Sequence, residues 1–338
     1  MKTVTINLVS SWNHCSQILT GFLSLEEKGI ISVSIKKNKL IEEQTGNLAA
    51  VIVDYDGIRI VYDVMDGYQN PQGMKYLLGN SDYYFKRSFS SKLNNELFDE
   101  EYNNKIHRLG MNYLVSCSNN PYNSMSLRSV LFTLRGDKPN SYFINERFET
   151  TPVKKNGDFK ILFLTRLWDH SIDNAEKLNE QRINIIRMLK KTYRDSFIGG
   201  IRSSELAKEL APDLVVSKQF TERANYLKLL READVCIGTL GLHQSTGWKT
   251  AEYVASSKAI VNEELFYEVP GSFSNGINYL SFSDEQECCN NVERLLADPE
   301  YLFNMKVENN KYYKNWLRPD VLIQNTLNTV DNNSPTSE

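Results

Sequence analysis

Apolar and polar positions alternate through VTINLVS (4–10), the period of a half-buried strand. After a loop, SWNHC, the apolar residues Ile18, Leu19, Phe22 and Leu25 recur at helical spacing, and Gly29 ends the run. IISVSIK then reads as a second strand, so the chain opens β-α-β, the start of an open parallel sheet. AAVIVDYDGIRIVYDV (49–64) differs: two alternating runs flank Asp56-Gly57, a strong hairpin signal. A helix at about 71–79, short strands at 82–87 and 112–117, and a helix at 123–136 follow.

Residues 137–158 carry proline, asparagine, glycine and charge with weak periodicity, which places a domain boundary there. Beyond it, β and α patterns alternate with greater regularity. FKILFLT, DSFIGGI, DLVVSK, DVCIGT, AIV and INYLSFS are strands, separated by amphipathic helices of which 174–193 is the longest. The expected architecture is α/β, two Rossmann-like β/α domains, 1–150 and 151–318, facing a cleft. A helix at 319–330 returns to the first domain, and 331–338 is a polar tail. Ligands of such sheets bind beyond the carboxyl ends of the strands, so the loops at 10–15, 166–172 and 239–246 face the cleft.

Composition narrows the chemistry. The 338 residues have a formal net charge of −3, which supplies no basic field for nucleic acid. Five scattered cysteines and four dispersed histidines suggest neither a disulfide framework nor a metal cage. The N-terminal stretch lacks the pattern of a signal peptide, and no apolar window is long enough to span a bilayer. A reduced cytoplasmic setting is expected, with a peripheral membrane contact left open.

One segment stands out. Gly241 to Thr250, GLHQSTGWKT, approaches the triphosphate-binding pattern G-x-x-x-x-G-K-[ST] but has five residues between its glycines, and Trp248 separates Gly247 from Lys249. That insertion turns Lys249 by about 100° around a helix, which places the lysine on the helix surface. What remains is a helix start, capped by Ser245 or Thr246, with Gly247 admitting a ligand to the backbone. Free amides and the macrodipole attract an anion there by about 0.3–1 kcal/mol, and by up to about 2 when partly buried. Arg166, directly after a strand, supplies the cation such a site needs. Glu252, beside Ala251, Val254 and Ala255 on the inward face, either pairs with Lys249 or accepts hydrogen bonds from sugar hydroxyls.

LREADVCIGT…QSTGWKTAEYVASSKAIV resembles the donor-binding domain of GT-B-fold glycosyltransferases, in particular the Glu-x7-Glu, family 4-like type. FLTRL resembles that family's strand–Gly–Arg–Leu segment, with Thr165 where glycine is usual. The resemblance covers about 159–330 and is weak before 150. It implies that Glu252 holds the nucleotide ribose, that Arg166 binds the diphosphate, and that the amides near Thr246, Gly247 and Trp248 meet diphosphate and sugar. Gln244 falls on the first glutamate of the motif, a departure, and His243 beside it is a candidate donor contact or a loop-packing residue. The family's usual following lysine has no clear match, Lys177 being one candidate. Three residues compete as the base that deprotonates an acceptor: His14 after the first strand, and Asp63 and Asp66 in VYDVMDGY. Each has an alternative reading as a loop or turn residue bonded to backbone. Lys86 and Arg87 are candidate contacts for an acidic or phosphorylated acceptor, or plain surface charge. DYD (54–56) has metal-binding letters but lies at a hairpin turn. The implied activity needs no metal and no cofactor: a sugar passes from a nucleotide sugar to a glycan or lipid-linked acceptor, in bacterial surface polysaccharide assembly. Two alternatives are a nucleotide-sugar epimerase of the same fold and a non-catalytic two-domain protein that closes on a small ligand.

Overall fold

The structure is a computed structural model that describes residues 1–8, 12–37, 48–118, 143–172 and 174–333. The helix expected at 123–136, residues 137–142 of the linker and the tail beyond 333 lie outside the described residues.

The first sheet contains β1 (Lys2–Leu8), β2 (Ile31–Lys37), β3 (Ala50–Tyr55), β4 (Ile58–Asp63), β5 (Tyr83–Lys86) and β6 (Ile106–Arg108), in the order β2-β1-β3-β4-β5-β6. β3 runs antiparallel to both of its neighbours and the remaining pairs are parallel, so the sheet is mixed where the opening pattern suggested an all-parallel one. The hairpin is the cause. Asp56 and Gly57 take φ of 47° and 86°, the left-handed pair that a two-residue turn between twisted strands requires. Since β3 runs backward, β4 and β5 resume the direction of β1, and the carboxyl ends of all three share one edge.

Residues 112–117 do not form the expected strand. Ser116 makes a single bridge to Ile144, and the free edge of β5 is taken by the unforeseen β6. The alternating Met111, Tyr113 and Val115 instead bury against Leu162, Leu164 and Ile260 in the core of the second domain.

That domain is built on β7 (Ile161–Thr165), β8 (Phe197–Arg202), β9 (Val215–Val216), β10 (Val235–Gly238), β11 (Ala259–Glu263) and β12 (Leu280–Phe282), ordered β12-β11-β10-β7-β8-β9 with every pair parallel. Its central strands are buried along their length, as a sheet covered on both faces demands. Strand order reverses between β7 and β10, and the crevice at such a switch point is where open α/β sheets take ligands.

The last helix, Pro319–Asn333, leaves the second domain and buries Leu322, Ile323, Leu327 and Val330 in the first domain's core. It lies against helix Trp12–Glu27, where a Cβ at Gly21 would collide with the Pro319 carbonyl and the Ile323 side chain. Gly21→Ala therefore has to part the two helices. Overpacking of this kind costs about 1–3 kcal/mol, and at about 2–4 °C per kcal/mol the melting temperature should fall by several degrees. Thermal unfolding followed by circular dichroism measures it; an unchanged melting temperature would show that the helices do not pack this closely.

Candidate active site

A cavity of about 570 Å³ lies between the strand ends of the two sheets, within the range of about 300–1,000 Å³ usual for small-ligand sites. The second domain contributes the loops after β7, β8 and β10 and the start of helix Trp248–Ala255; the first contributes His14, Asp66 and Arg87.

Helix Trp248–Ala255 is preceded by Gly247 in an extended conformation, with no side-chain cap. Ser245 and Thr246, expected as caps, are buried and do not cap the helix, and both line the cavity together with Gly247 and Trp248. Glu252 is 4% exposed, which makes its partners decisive. Arg223 donates to Oε1 at 2.9 Å and the Tyr226 hydroxyl to Oε2 at 2.6 Å. The i, i+3 pairing with Lys249 is not formed. Arg223 packs over the rings of Phe148 and Tyr226, which fixes it against the carboxylate.

Lys249 is not the surface residue its position suggested. Because Gly247 is the cap, Lys249 occupies the second helical position and turns into the crevice, its Nζ 4.4 Å from the centre of the Tyr226 ring. Among the described residues it has no salt-bridge partner. Burial pushes its pKa down from 10.5 to about 8, with Glu252 opposing and Arg223 adding to the fall. Below about pH 8 the amine is charged and attracts an anion; the anion in turn raises the amine's pKa. Affinity for a diphosphate should therefore be full below about pH 8 and decline as pH climbs above it. Titrating pyrophosphate from pH 6.5 to 9.5 checks this: the decline should flatten in Lys249→Met, and an identical pH profile in that variant would remove Lys249 from the anion site.

Arg166 stands just beyond β7, its guanidinium 4.0 Å from the centre of the Trp168 ring, and among the described residues it forms no ion pair. Burial and the neighbouring charge of Arg202 push its pKa down. Behind it, the buried Arg182 donates to Thr239 Oγ1, to the Arg166 carbonyl and to the Leu240 carbonyl at 2.9–3.2 Å. It thereby ties the end of β7 to the end of β10, and burial brings its pKa down to about 10.

The first-domain candidates divide. Asp63 and Lys86 are both fully buried and form an ion pair at 2.8 Å. Asp63 also accepts from the Tyr84 hydroxyl at 2.7 Å, and Lys86 donates to the Gly67 carbonyl at 2.8 Å. Neither reaches the cleft, which corrects their assignments as base and acceptor contact: β5 lies between β4 and β6, and its last three residues are buried whichever face they take. Asp66 and Arg87 do line the cavity, but they pair with each other, and Arg87 spans the domains by donating to the Thr246 carbonyl at 2.6 Å. His14 belongs to the first turn of helix Trp12–Glu27 rather than to a loop. It lines the cavity and meets Trp248 edge-on, with ring centres 5.0 Å apart. Burial lowers its pKa, with Asp66 opposing and Arg87 adding to the fall, which favours the neutral imidazole.

His243 and Gln244 are exposed and outside the cavity lining, contrary to their assignment as donor contacts. Both take left-handed φ, 55° and 59°, in a short turn closed by Gly241 N–H to the Ser245 carbonyl, and the Tyr267 hydroxyl holds the His243 carbonyl. Lys177 is likewise exposed on its helix and absent from the cavity lining. In the DYD hairpin, Asp54 pairs with Arg59, and Asp56 accepts from the Thr3 amide. Among the described residues, no group of three or more histidine, cysteine or acidic side chains is placed to hold a metal, and no helix is long and apolar enough to cross a membrane.

The cavity residues missed in the sequence are Arg182, Arg202, Arg223 and Tyr226. Arg202, at the end of a strand next to β7, carried a usable signal; Arg223 and Tyr226 meet Glu252 only through the packing of helix Arg223–Glu232.

The chain is thus a two-domain α/β protein of the GT-B arrangement, with two Rossmann-like sheets presenting their strand ends to a cationic cleft. No protein-family model matches it, and no curated protein matches it in sequence. Solved structures resemble it in fold. HepE of Anabaena, in complex with UDP and glucose, is 10% identical, with 97% of this chain and 91% of HepE covered and a TM-score of 0.45. A protein described as a UDP-N-acetylglucosamine 2-epimerase from Listeria monocytogenes is 8% identical, with 97% and 95% covered and a TM-score of 0.46. The C-terminal domain of LpcC, a glycosyl transferase group 1 family protein from Francisella tularensis, is 10% identical, covers 50% of this chain and 95% of its own, and has a TM-score of 0.34.

Proposed function

We propose that the chain is a glycosyltransferase that passes a sugar from a nucleoside diphosphate donor to a glycan or lipid-linked acceptor, in surface polysaccharide assembly at the inner face of a membrane. The observation that carries this reading is the constellation at the switch point. Glu252 is buried and held open for hydroxyls, while the first turn of its helix, Lys249 and Arg166 offer positive charge beside it.

Glycosyl transfer expels a diphosphate, which gains negative charge as the bond to the anomeric carbon breaks. Donors fixed where that charge grows lower the barrier. A helix start supplies about 0.3–2 kcal/mol, and a charge-assisted hydrogen bond from arginine about 1.5–3 kcal/mol, so Arg166 and Lys249 outweigh the dipole. The acceptor hydroxyl must lose a proton. His14, neutral and on the opposite wall, is the base of this proposal.

Calorimetric titration with UDP, GDP, ADP and CMP tests the reading. One nucleoside diphosphate should bind, and no binding by any of them to folded protein would sink it. A donor consumed with no acceptor present would identify an epimerase instead.

A further inference from the structure

The cleft holds more positive charge than a nucleoside diphosphate requires. Six cationic side chains line it and only two carboxylates, Asp66 and Glu252. Both carboxylates are taken, by Arg87 and by Arg223. Arg182 spends its donors on two carbonyls and a hydroxyl. Arg166, Arg202 and Lys249 remain, and among the described residues none of the three forms a salt bridge. Lys249 and Arg166 are assigned to the diphosphate. Arg202 is left over, one step past the Thr165–Ile201 register pair that joins β7 to β8, which puts it next to Arg166. Two neighbouring guanidinium groups repel, and the one acid that acts on Arg166, Asp66, is already paired with Arg87.

The unsatisfied hydrogen-bonding groups are one-sided in the same sense. The orphaned buried polar atoms among the cavity residues, Arg87 Nε, Trp168 Nε1 and Arg223 Nε, are all donors. A neutral hexose presents hydroxyls that need acceptors as well as donors. Here Asp66 is paired with Arg87, the lone pairs that Arg223 and Tyr226 leave on Glu252 are assigned to the ribose hydroxyls, and Gln244, the one amide of the loop, is exposed and outside the cavity lining. A ligand group that only accepts, and carries charge, fits this wall better.

We propose that the transferred sugar is acidic, a hexuronate or a similar carboxylate-bearing sugar, and that its carboxylate is met by Arg202 beside Arg166. The proposal rests on the nucleotide-sugar reading above and deepens it. A planar guanidinium binds a carboxylate through two parallel hydrogen bonds, whereas the leaving diphosphate is served by Arg166, Lys249 and the helix start.

The test begins with the nucleotide that binds in the titration panel and compares matched donors on it: UDP-glucose with UDP-glucuronate, or GDP-mannose with GDP-mannuronate. The acidic donor should bind at least about tenfold more tightly at low salt, and the preference should shrink at high salt as the charges are screened. Arg202→Gln should abolish the preference while the affinity for the free nucleoside diphosphate stays within about twofold. Equal binding of the two donors, or a preference that survives in Arg202→Gln, would overturn the proposal. So would inorganic phosphate binding to the nucleotide-saturated protein without any hexuronate preference, which would put the extra anion on the acceptor. If no nucleotide binds at all, it is the transferase reading that fails.

Discussion

Glu252→Ala is expected to weaken nucleoside diphosphate binding by about 10- to 150-fold, the equivalent of one charge-assisted hydrogen bond of about 1.5–3 kcal/mol. The carboxylate reaches the cavity with both oxygens already engaged by Arg223 and Tyr226. These contacts fix its direction without exhausting it, because two carboxylate oxygens offer about four lone-pair sites. Tyr226→Phe removes one positioning bond and keeps the charge, so its effect should be several-fold smaller. Calorimetry on the two variants, with near-ultraviolet circular dichroism to confirm folding, separates the roles. Unchanged affinity in folded Glu252→Ala would show that this carboxylate only anchors Arg223. An equal loss in both variants would mean that positioning, not contact, is what matters.

The second large effect is on stability. Asp63→Ala strands the Lys86 ammonium, whose side chain is 0% exposed, with only the Gly67 carbonyl and the face of Tyr68 for company. Breaking a buried pair by removing one partner costs about 3–5 kcal/mol. For a domain of this size that is a fall of the order of 10 °C in melting temperature. Replacing both members, Asp63→Leu with Lys86→Met, should recover most of the loss, because each ion then leaves together with its desolvation penalty. If Asp63→Ala melted like the parent and lost only catalysis, Asp63 would return as the catalytic base and its assignment to the first domain's core would be wrong.

The sequence allowed the second domain to be read almost strand by strand, because a doubly wound sheet repeats one pattern: a short apolar run, a turn and an amphipathic helix. The hairpin at Asp56-Gly57 was equally legible, since only a few residue pairs tolerate two left-handed conformations in succession. What failed were assignments that depend on which neighbour a segment finds. Residues 112–117 alternate like a strand, yet their apolar side is buried by the other domain. Lys86 reads as a charged residue at a strand end, and only the strands on both sides of β5 make that end a core position. Lys249 was misplaced by one local detail: moving the cap from Ser245 or Thr246 to Gly247 shifts every later side chain around the helix axis. The places of Arg166 and Glu252 at the cavity were legible because each sits at a fixed offset from its own strand end or helix start, whereas Arg223 and Tyr226 join Glu252 across helices.

The return of the last helix to the first domain sets a schedule for synthesis. Gln17 donates to the Leu317 carbonyl across 300 residues, and Ile323 and Leu327 complete the core around Phe22. Ribosomes add about 5–20 residues per second, so helix Trp12–Glu27 waits roughly 15–60 s with part of its apolar face uncovered. The second domain, whose sheet is continuous from β7 to β12, has its strands in hand before the first domain is finished. One face of the earliest helix is thus the last part of the first domain to be covered during translation.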